Sequence, residues 1–278
     1  MTDYLAIPLI FTDGSVHVAT WSTQQAGGFT DVQIAGIESI VVPLARVAEI
    51  RALQRTASNL LDVYVGHHAG ERVLAGQIRR GHTETIHSVI WLSDMRGFTT
   101  LADRLPPQVL LDLLNRYFDC QVPAILKHGG EVLKFIGDGL LAIFPLTEGT
   151  ADAREVCDRA LDVARKAQAS INTIEMPTNV GNAHGVRFGL ALHLGEVLYG
   201  NIDSGNRLDF TCIGPAVNLA ARLEKLAAKI GRTIILSAEF ARHSQIALEP
   251  LGEFAVLGFA AKQRAFGLRI CSEEADQG

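Results

Sequence analysis

Two aspartates stand where apolar runs give way to turns. Asp94 follows Ser88-Val89-Ile90-Trp91-Leu92-Ser93 and opens Met95-Arg96-Gly97-Phe98-Thr99-Thr100, while Asp138 sits between Gly137 and Gly139. Glu131–Ile136 precedes the second aspartate and Leu140–Phe144 follows it. These runs predict a central strand and a strand–turn–strand hairpin. Carboxylates at the ends of adjacent buried strands can share divalent cations, and two such ions a few ångströms apart suit displacement at phosphorus. A helix starting at Arg96-Gly97 would also aim the N–H groups of Gly97, Phe98 and Thr99 at an anion. Each residue has a plainer reading as well: Asp94 can cap a helix, and Asp138 can form a tight Asp-Gly turn. Strand pairing can nevertheless bring the two together, and two buried carboxylates call for a cation between them.

Three further positions offer chemistry. Lys134 shares a strand face with Ile136 and Asp138, which makes it a counter-ion for the aspartates or a donor to a ligand. Asn218 and Arg222 are four apart on an expected helix and so share one face. An amide and a fixed guanidinium there can serve one substrate, the guanidinium meeting charge on phosphate oxygens. A capping Asn and a solvated Arg would look the same in isolation. His67-His68 has no Cys or acidic residue at metal-ligand spacing and reads as a solvated pair.

The surrounding pattern says what must hold these residues. Residues 1–62 read as a hairpin (Leu5–Phe11, Val16–Trp21) followed by a helix capped at Thr30-Asp31, which Pro43 should kink or restart. Apolar steps of three and four along that helix suit packing on a partner helix or on its own domain. This segment is expected to be a sensor remnant or a dimerisation element. Residues 63–84 are rich in Gly and Arg and read as a linker, with a possible short helix at Glu71–Leu74. From residue 85 to 271 strands and helices alternate. One long helix runs from Pro106-Pro107 to Gly129-Gly130, another covers Ala151–Ile174, a strand pair over Val186–Val197 breaks at Gly195, a helix spans Val217–Ala228, and closing strands end the domain. Residues 272–278 form a polar tail. The order β-α-β-β-α-β with extra elements is an α+β, ferredoxin-like pattern.

Bulk properties narrow the partners. The 278 residues carry a net charge of -5 with 48% hydrophobic content, which fits a globular chain and opposes a basic nucleic-acid-binding face. No apolar run is long enough to span a bilayer, and Met1-Thr2-Asp3-Tyr4 lacks a basic leader, so a cytoplasmic protein is expected. Cys120, Cys157, Cys212 and Cys271 form no Cys-x-x-Cys pair and read as reduced thiols.

Taken together, Asp94–Thr99, Gly130–Gly139, His193-Leu194-Gly195-Glu196-Val197 and Thr211–Arg222 resemble, in order and spacing, the catalytic domain of class III nucleotidyl cyclases. The resemblance covers about two-thirds of the chain. It implies a bacterial-type adenylate cyclase that converts ATP to cyclic AMP and pyrophosphate. Asp94 and Asp138, helped by the Met95 carbonyl, would bind two Mg²⁺ or Mn²⁺ ions per site. Lys134 and Thr211 occupy the base-reading positions, where guanine-specific relatives carry Glu and Cys, and Thr resembles the subgroup often stimulated by bicarbonate. Asn218 would orient the ribose, and Arg222 would stabilise the transition state. In this family the metal and base residues come from one protomer and the Asn–Arg pair from the other, so a homodimer with two shared sites is implied. A guanylate cyclase and a degenerate nucleotide-binding regulator are the alternatives. One position departs from the pattern: Leu257 stands where a triphosphate-binding lysine is usual, leaving Lys262, Arg264 or Arg96 as substitutes.

Overall fold

The computed structural model describes residues 1–76, 83–146, 153–176, 185–203 and 208–269. The chain divides into two compact units, Met1–Leu74 and Ala75–Gly278. Residues 77–82 of the expected linker, the first two residues of the expected 151–174 helix, and the tail with Cys271 lie outside the described residues.

In the first unit, β1 (Asp3–Ile10) and β2 (Val16–Thr23) pair antiparallel. Asp13 closes the turn by accepting from the Ser15 N–H at 2.8 Å, and Gly14 takes the positive φ of 82° that the turn requires. Helix α1 (Asp31–Val65) starts with a capping box between Thr30 and Gln33. It continues through Pro43 as a single element and does not restart there. Pro43 removes the hydrogen bond to the Ser39 carbonyl, but Ser39 is exposed and water can take that acceptor. Leu9 and Phe11 pack on Ala45 to form a small core. The stretch expected as linker is helical further upstream than Glu71: α2 spans His67–Leu74.

The second unit holds an eight-stranded sheet. Its elements are β3 (Thr83–Met95), α3 (Phe98–Arg104), α4 (Pro107–Asp119), α5 (Val122–Lys127), β4 (Glu131–Ile136), β5 (Gly139–Pro145), α6 (Ala153–Ile171), β6 (Phe188–Asp203), β7 (Leu208–Ile213), α7 (Pro215–Lys229), β8 (Ile234–Ser237), α8 (Ala238–His243), β9 (Leu248–Phe254) and β10 (Gln263–Leu268). Strand order is β4-β5-β3-β6-β8-β10-β9, with β7 paired to β6. The first four strands follow the order of a ferredoxin-like βαββαβ sheet, as the sequence pattern predicts. Every pairing is antiparallel except β6 with β8.

Both faces of the central strands are covered, which is why they read as continuous apolar runs rather than alternating ones. Val89 and Trp91 of β3 and Leu140, Ala142 and Phe144 of β5 join the core beneath α4, α5 and α6. Ile90, Leu141 and Ile143 face the other way, toward Tyr199, Cys212, Ala216 and Ala220. Burial pushes the Cys212 thiol up to about 12, so it packs as an inert apolar group.

Two sequence expectations change. The long helix from Pro107 is two helices that meet at Cys120-Gln121. Pro123 cannot donate to the Asp119 carbonyl and its ring crowds that carbonyl, which ends α4. The break has a use: fully buried Gln121 accepts from Ser93 Oγ at 2.6 Å, tying the helix junction to the residue before Asp94. The strand pair expected to break at Gly195 is one strand, β6, running from Phe188 to Asp203. Gly195 is there for close approach, since a Cβ would come within 2.9 Å of the Ala216 side chain and of His193 Nε2. The His193 ring is held by Ser237 Oγ at 2.8 Å from Nδ1, and burial pushes its pKa down to about 4.

Candidate active site

The sheet register determines where the two aspartates meet. Asp94 is next to last in β3, opposite Gly189 of β6, and on its other side β3 pairs with β5 from Ser93↔Leu140. The β4–β5 turn, Gly137-Asp138, therefore closes beside the end of β3. A Cβ on Gly139 would lie 3.3 Å from Asp94 Oδ1 and 3.1 Å from the Ser93 carbonyl, so glycine there lets the turn sit against Asp94. Gly137 takes a φ of 63° in that turn.

The two carboxylates do not tolerate each other fully charged. Burial, then the Asp138 charge and the hydrogen bond that protonated Asp94 makes to Asp138, push the Asp94 carboxyl up to about 7; Glu224 adds to this and Arg96 opposes it. A cation relieves the same repulsion without a proton. The donors are hard oxygens, two carboxylates and the nearby strand-end carbonyls, which suit Mg²⁺ or Mn²⁺. Among the described residues no group of three or more His, Cys, Asp or Glu forms a metal cluster. Any ion here must therefore take its remaining ligands from backbone, water or substrate.

A pH dependence follows. A carboxyl whose folded pKa is raised stabilises the fold most below its unfolded value near 3.8, and that stability is lost as pH rises through about 7. Without metal, the melting temperature is expected to fall between pH 5 and pH 8 more steeply in the wild type than in Asp94→Asn. The increase on adding Mn²⁺ should grow across the same interval, because protons and metal compete for one site. At about 2–4 °C per kcal/mol for a domain of this size, calorimetry resolves the difference. Parallel pH profiles for the two proteins would contradict the pairing.

The turn after Asp94 is built as expected. Met95 is buried in the core, Gly97 has a φ of 73°, and α3 begins at Phe98. Phe98 packs on the core, whereas Thr99 is exposed. Arg96, one of the three cations named for the triphosphate, is already engaged. Its Nη1 lies 2.7 Å from Glu224 Oε1. Arg264 lies 3.9 Å from Glu253, Lys262 is exposed, and Leu257 is exposed in the β9–β10 turn.

Lys134 reaches its face through a bulge. The β4–β5 register shifts between Val132 and Lys134. Val132 packs on the helix-side core, and Phe135 meets Phe118 edge-on at 4.6 Å on that same side. Leu133 packs on the opposite cluster, so the bulge turns Lys134 to that opposite face as well, the face that carries Tyr199 and β7. Tyr199 donates to the buried Glu131 carboxylate at 2.7 Å. Thr211 is buried on β7, opposite Gly200 of β6. Strand β7 has no counterpart in the sequence expectations.

Asn218 and Arg222 both lie on α7. Gly214, with a φ of 142°, and Pro215 turn the chain from β7 into this helix. Ala216, Leu219, Ala220, Leu223, Glu224 and Ala227 face inward. Asn218 is exposed and Arg222 half-buried on the outward side. Among the described residues, no hydrogen bond or ion pair joins either one to Asp94 or Asp138 of the same chain. The structure thus brings Asp94 and Asp138 together, sets Lys134 and Thr211 on strands that share a face, and leaves Asn218 and Arg222 directed outward. The sequence reading assigned no role to Glu224, although an acid at a core-facing helical step, four after Ala220 and three before Ala227, was a visible signal.

Residues 81–269 match the family model of the adenylate and guanylate cyclase catalytic domain. An adenylate cyclase of Anabaena cylindrica is 30% identical over 170 residues, covering 60% of this chain and 32% of that protein, so the chain spans about a third of its relative's length. A bacterial light-regulated adenylyl cyclase superposes with a TM-score of 0.64 at 25% identity, over 83% of this chain and 65% of that one. The adenylyl cyclase CyaB from P. aeruginosa superposes with a TM-score of 0.56 at 26% identity, over 70% and 99%. With its family match, its sheet and its paired aspartates in register, the chain belongs to the adenylate and guanylate cyclase family, through a class III catalytic domain.

Proposed function

We propose that the chain is an adenylate cyclase that converts ATP to 3′,5′-cyclic AMP and pyrophosphate at sites shared by two copies. The observation that carries this reading is the paired Asp94 and Asp138 at the end of β3, where mutual repulsion and burial call for cations. Two divalent ions bound there would activate the ribose 3′-hydroxyl and neutralise the triphosphate. Asp94, Asp138 and the Met95 carbonyl would hold them, with the N–H groups of Gly97, Phe98 and Thr99 facing the phosphates. Lys134 would donate to adenine N1, and the Thr211 hydroxyl would accept from the N6 amine. The 3′-oxygen bonds to the α-phosphorus as the bond to pyrophosphate breaks, and the hydroxyl proton leaves to solvent. Asn218 orients the ribose, and Arg222 meets the charge that builds on the phosphate oxygens.

The outward placement of Asn218 and Arg222 supports a partner copy, since among the described residues neither makes a hydrogen bond or ion pair to the aspartates of its own chain. Ile40, Val47, Ile50, Leu53, Leu60 and Tyr64 are exposed apolar residues at helical steps along α1, as a helix packing on a second copy would have. No helix among the described residues is long and apolar enough to cross a membrane. The expected bicarbonate activation has no support in the described residues or in the relatives named above.

The test is turnover of purified protein with Mn²⁺ and either ATP or GTP. Cyclic AMP is expected, with kcat/KM strongly favouring ATP. Lys134→Glu with Thr211→Cys should lower kcat/KM for ATP by ~10²–10⁴, because buried donors and acceptors are then mispaired with adenine, and should raise turnover of GTP. Equal use of both nucleotides by the wild type would overturn the base assignment. No cyclic product from either would favour the regulatory reading.

A further inference from the structure

Arg96 belongs to the turn that follows Asp94, and Glu224 lies on α7 two residues after Arg222. Arg96 Nη1 is 2.7 Å from Glu224 Oε1, and Nη2 donates to the Glu224 backbone carbonyl at 3.3 Å. Glu224 is 3% exposed. The pair crosses β6 at Gly189, the register partner of Asp94. A Cβ at Gly189 would overlap the Arg96 guanidinium and come within 2.5 Å of Glu224 Oε1. The sequence therefore places a glycine near the start of a central strand, and the space it leaves is filled by an ion pair buried at its Glu224 end.

Stability does not account for this arrangement. Burying the Glu224 charge costs desolvation that the attraction of a partly exposed Arg96 only partly returns, and apolar replacements of such pairs are often neutral to stability. A fixed distance does account for it. The guanidinium grips both the side chain and the backbone of α7, so the turn carrying Asp94 cannot shift without α7. We propose that Arg96 and Glu224 are positioning residues: a buried strut, threaded over Gly189, that fixes the Asp94 turn to α7. It thereby couples each chain's metal half-site to the Asn218–Arg222 half-site that the chain lends to its partner. The coupling rests on the shared-site reading above.

Two variants test it from different sides in the full-length protein. Glu224→Gln keeps the shape of the acid and removes its charge. Gly189→Ala leaves both charges and every site residue in place but displaces the pair, which separates positioning from any direct effect of the Glu224 charge on the metal. Each is expected to lower kcat about tenfold and to raise the Mn²⁺ concentration for half-maximal activity about tenfold, the scale on which residues supporting metal ligands act. KM for ATP should stay within about threefold, because neither residue contacts the base. The double variant Gly189→Ala/Glu224→Gln should be no worse than either single one, since both break the same link. Arg96→Gln/Glu224→Gln, which leaves no lone buried ion, gives the same readout if a single variant is not recovered folded. Wild-type metal dependence and kcat in folded Gly189→Ala, with the wild type active, would overturn the strut alone. Absence of cyclic product from the wild type would overturn the reading beneath it.

Discussion

Asp94→Asn is expected to abolish activity and stabilise the metal-free fold at the same time. The two effects have one cause. Asparagine preserves the shape of the side chain at the end of β3 but carries no charge. Under the proposed two-ion reading it removes a ligand from the cation site, so kcat should fall more than about 10³-fold, beyond the loss from one transition-state donor, because bound ions would neutralise charge at more than one oxygen. It also removes the charge that burial and Asp138 penalise, the penalty that pushes the Asp94 carboxyl up to about 7, so at pH 8 the variant should melt above the metal-free wild type. Added Mn²⁺ should narrow that gap by stabilising the wild type alone. Activity assays at saturating Mn²⁺ and calorimetry with and without chelator check both halves. A residue that only capped α3 would show the reverse pattern: activity retained and stability lost. Wild-type kcat in Asp94→Asn would remove the aspartate pair from the mechanism.

How much of this was legible beforehand depends on whether a residue's role is local. The aspartates were legible because each stands at a turn beside an apolar run, and β3 and β5, which flank those turns, are buried strands whose runs the sequence states directly. The α7 face was legible for the same reason, from helical spacing alone. What could not be read depends on partners distant in sequence. The register shift between Val132 and Lys134, and the packing of Phe135 on Phe118 of α4, follow no local pattern. Gly195 reads as a strand breaker until Ala216 is seen to press against it. Gly189 and Arg96 have no pattern of their own, since their meaning lies in Glu224, more than a hundred residues from Arg96 in sequence. Pro gave opposite outcomes in two helices. Helix α4 ends four residues before Pro123, whereas α1 runs through Pro43, although Ser39 and Asp119, whose carbonyls the two prolines leave free, are both exposed residues.

Mixing two inactive variants is expected to restore activity. Asn218 and Arg222 face outward on α7 and have no hydrogen bond or ion pair to the aspartates of their own chain among the described residues. In the proposed two-fold dimer, that outward face would meet the aspartate site of the other copy. Asp94→Asn lacks the metal half of a site and retains the arginine half. Arg222→Ala lacks the arginine half, at a cost of ~10²–10³ in kcat, and retains the metal half. Each homodimer then has two defective sites. A mixed dimer has one site defective in both halves and one assembled from the two intact halves. Random pairing makes half the dimers mixed, with one of two sites working, so co-expression should return about a quarter of wild-type activity. That is far above the sum of the parents, and the rise should follow the fraction of mixed dimers as the expression ratio is varied. Complementation cannot arise if each chain builds its own site, because no chain in the mixture carries both Asp94 and Arg222. Activity no greater than the sum of the two parents, in a preparation where mixed dimers are resolved by tag-based purification, would place the whole site within one chain.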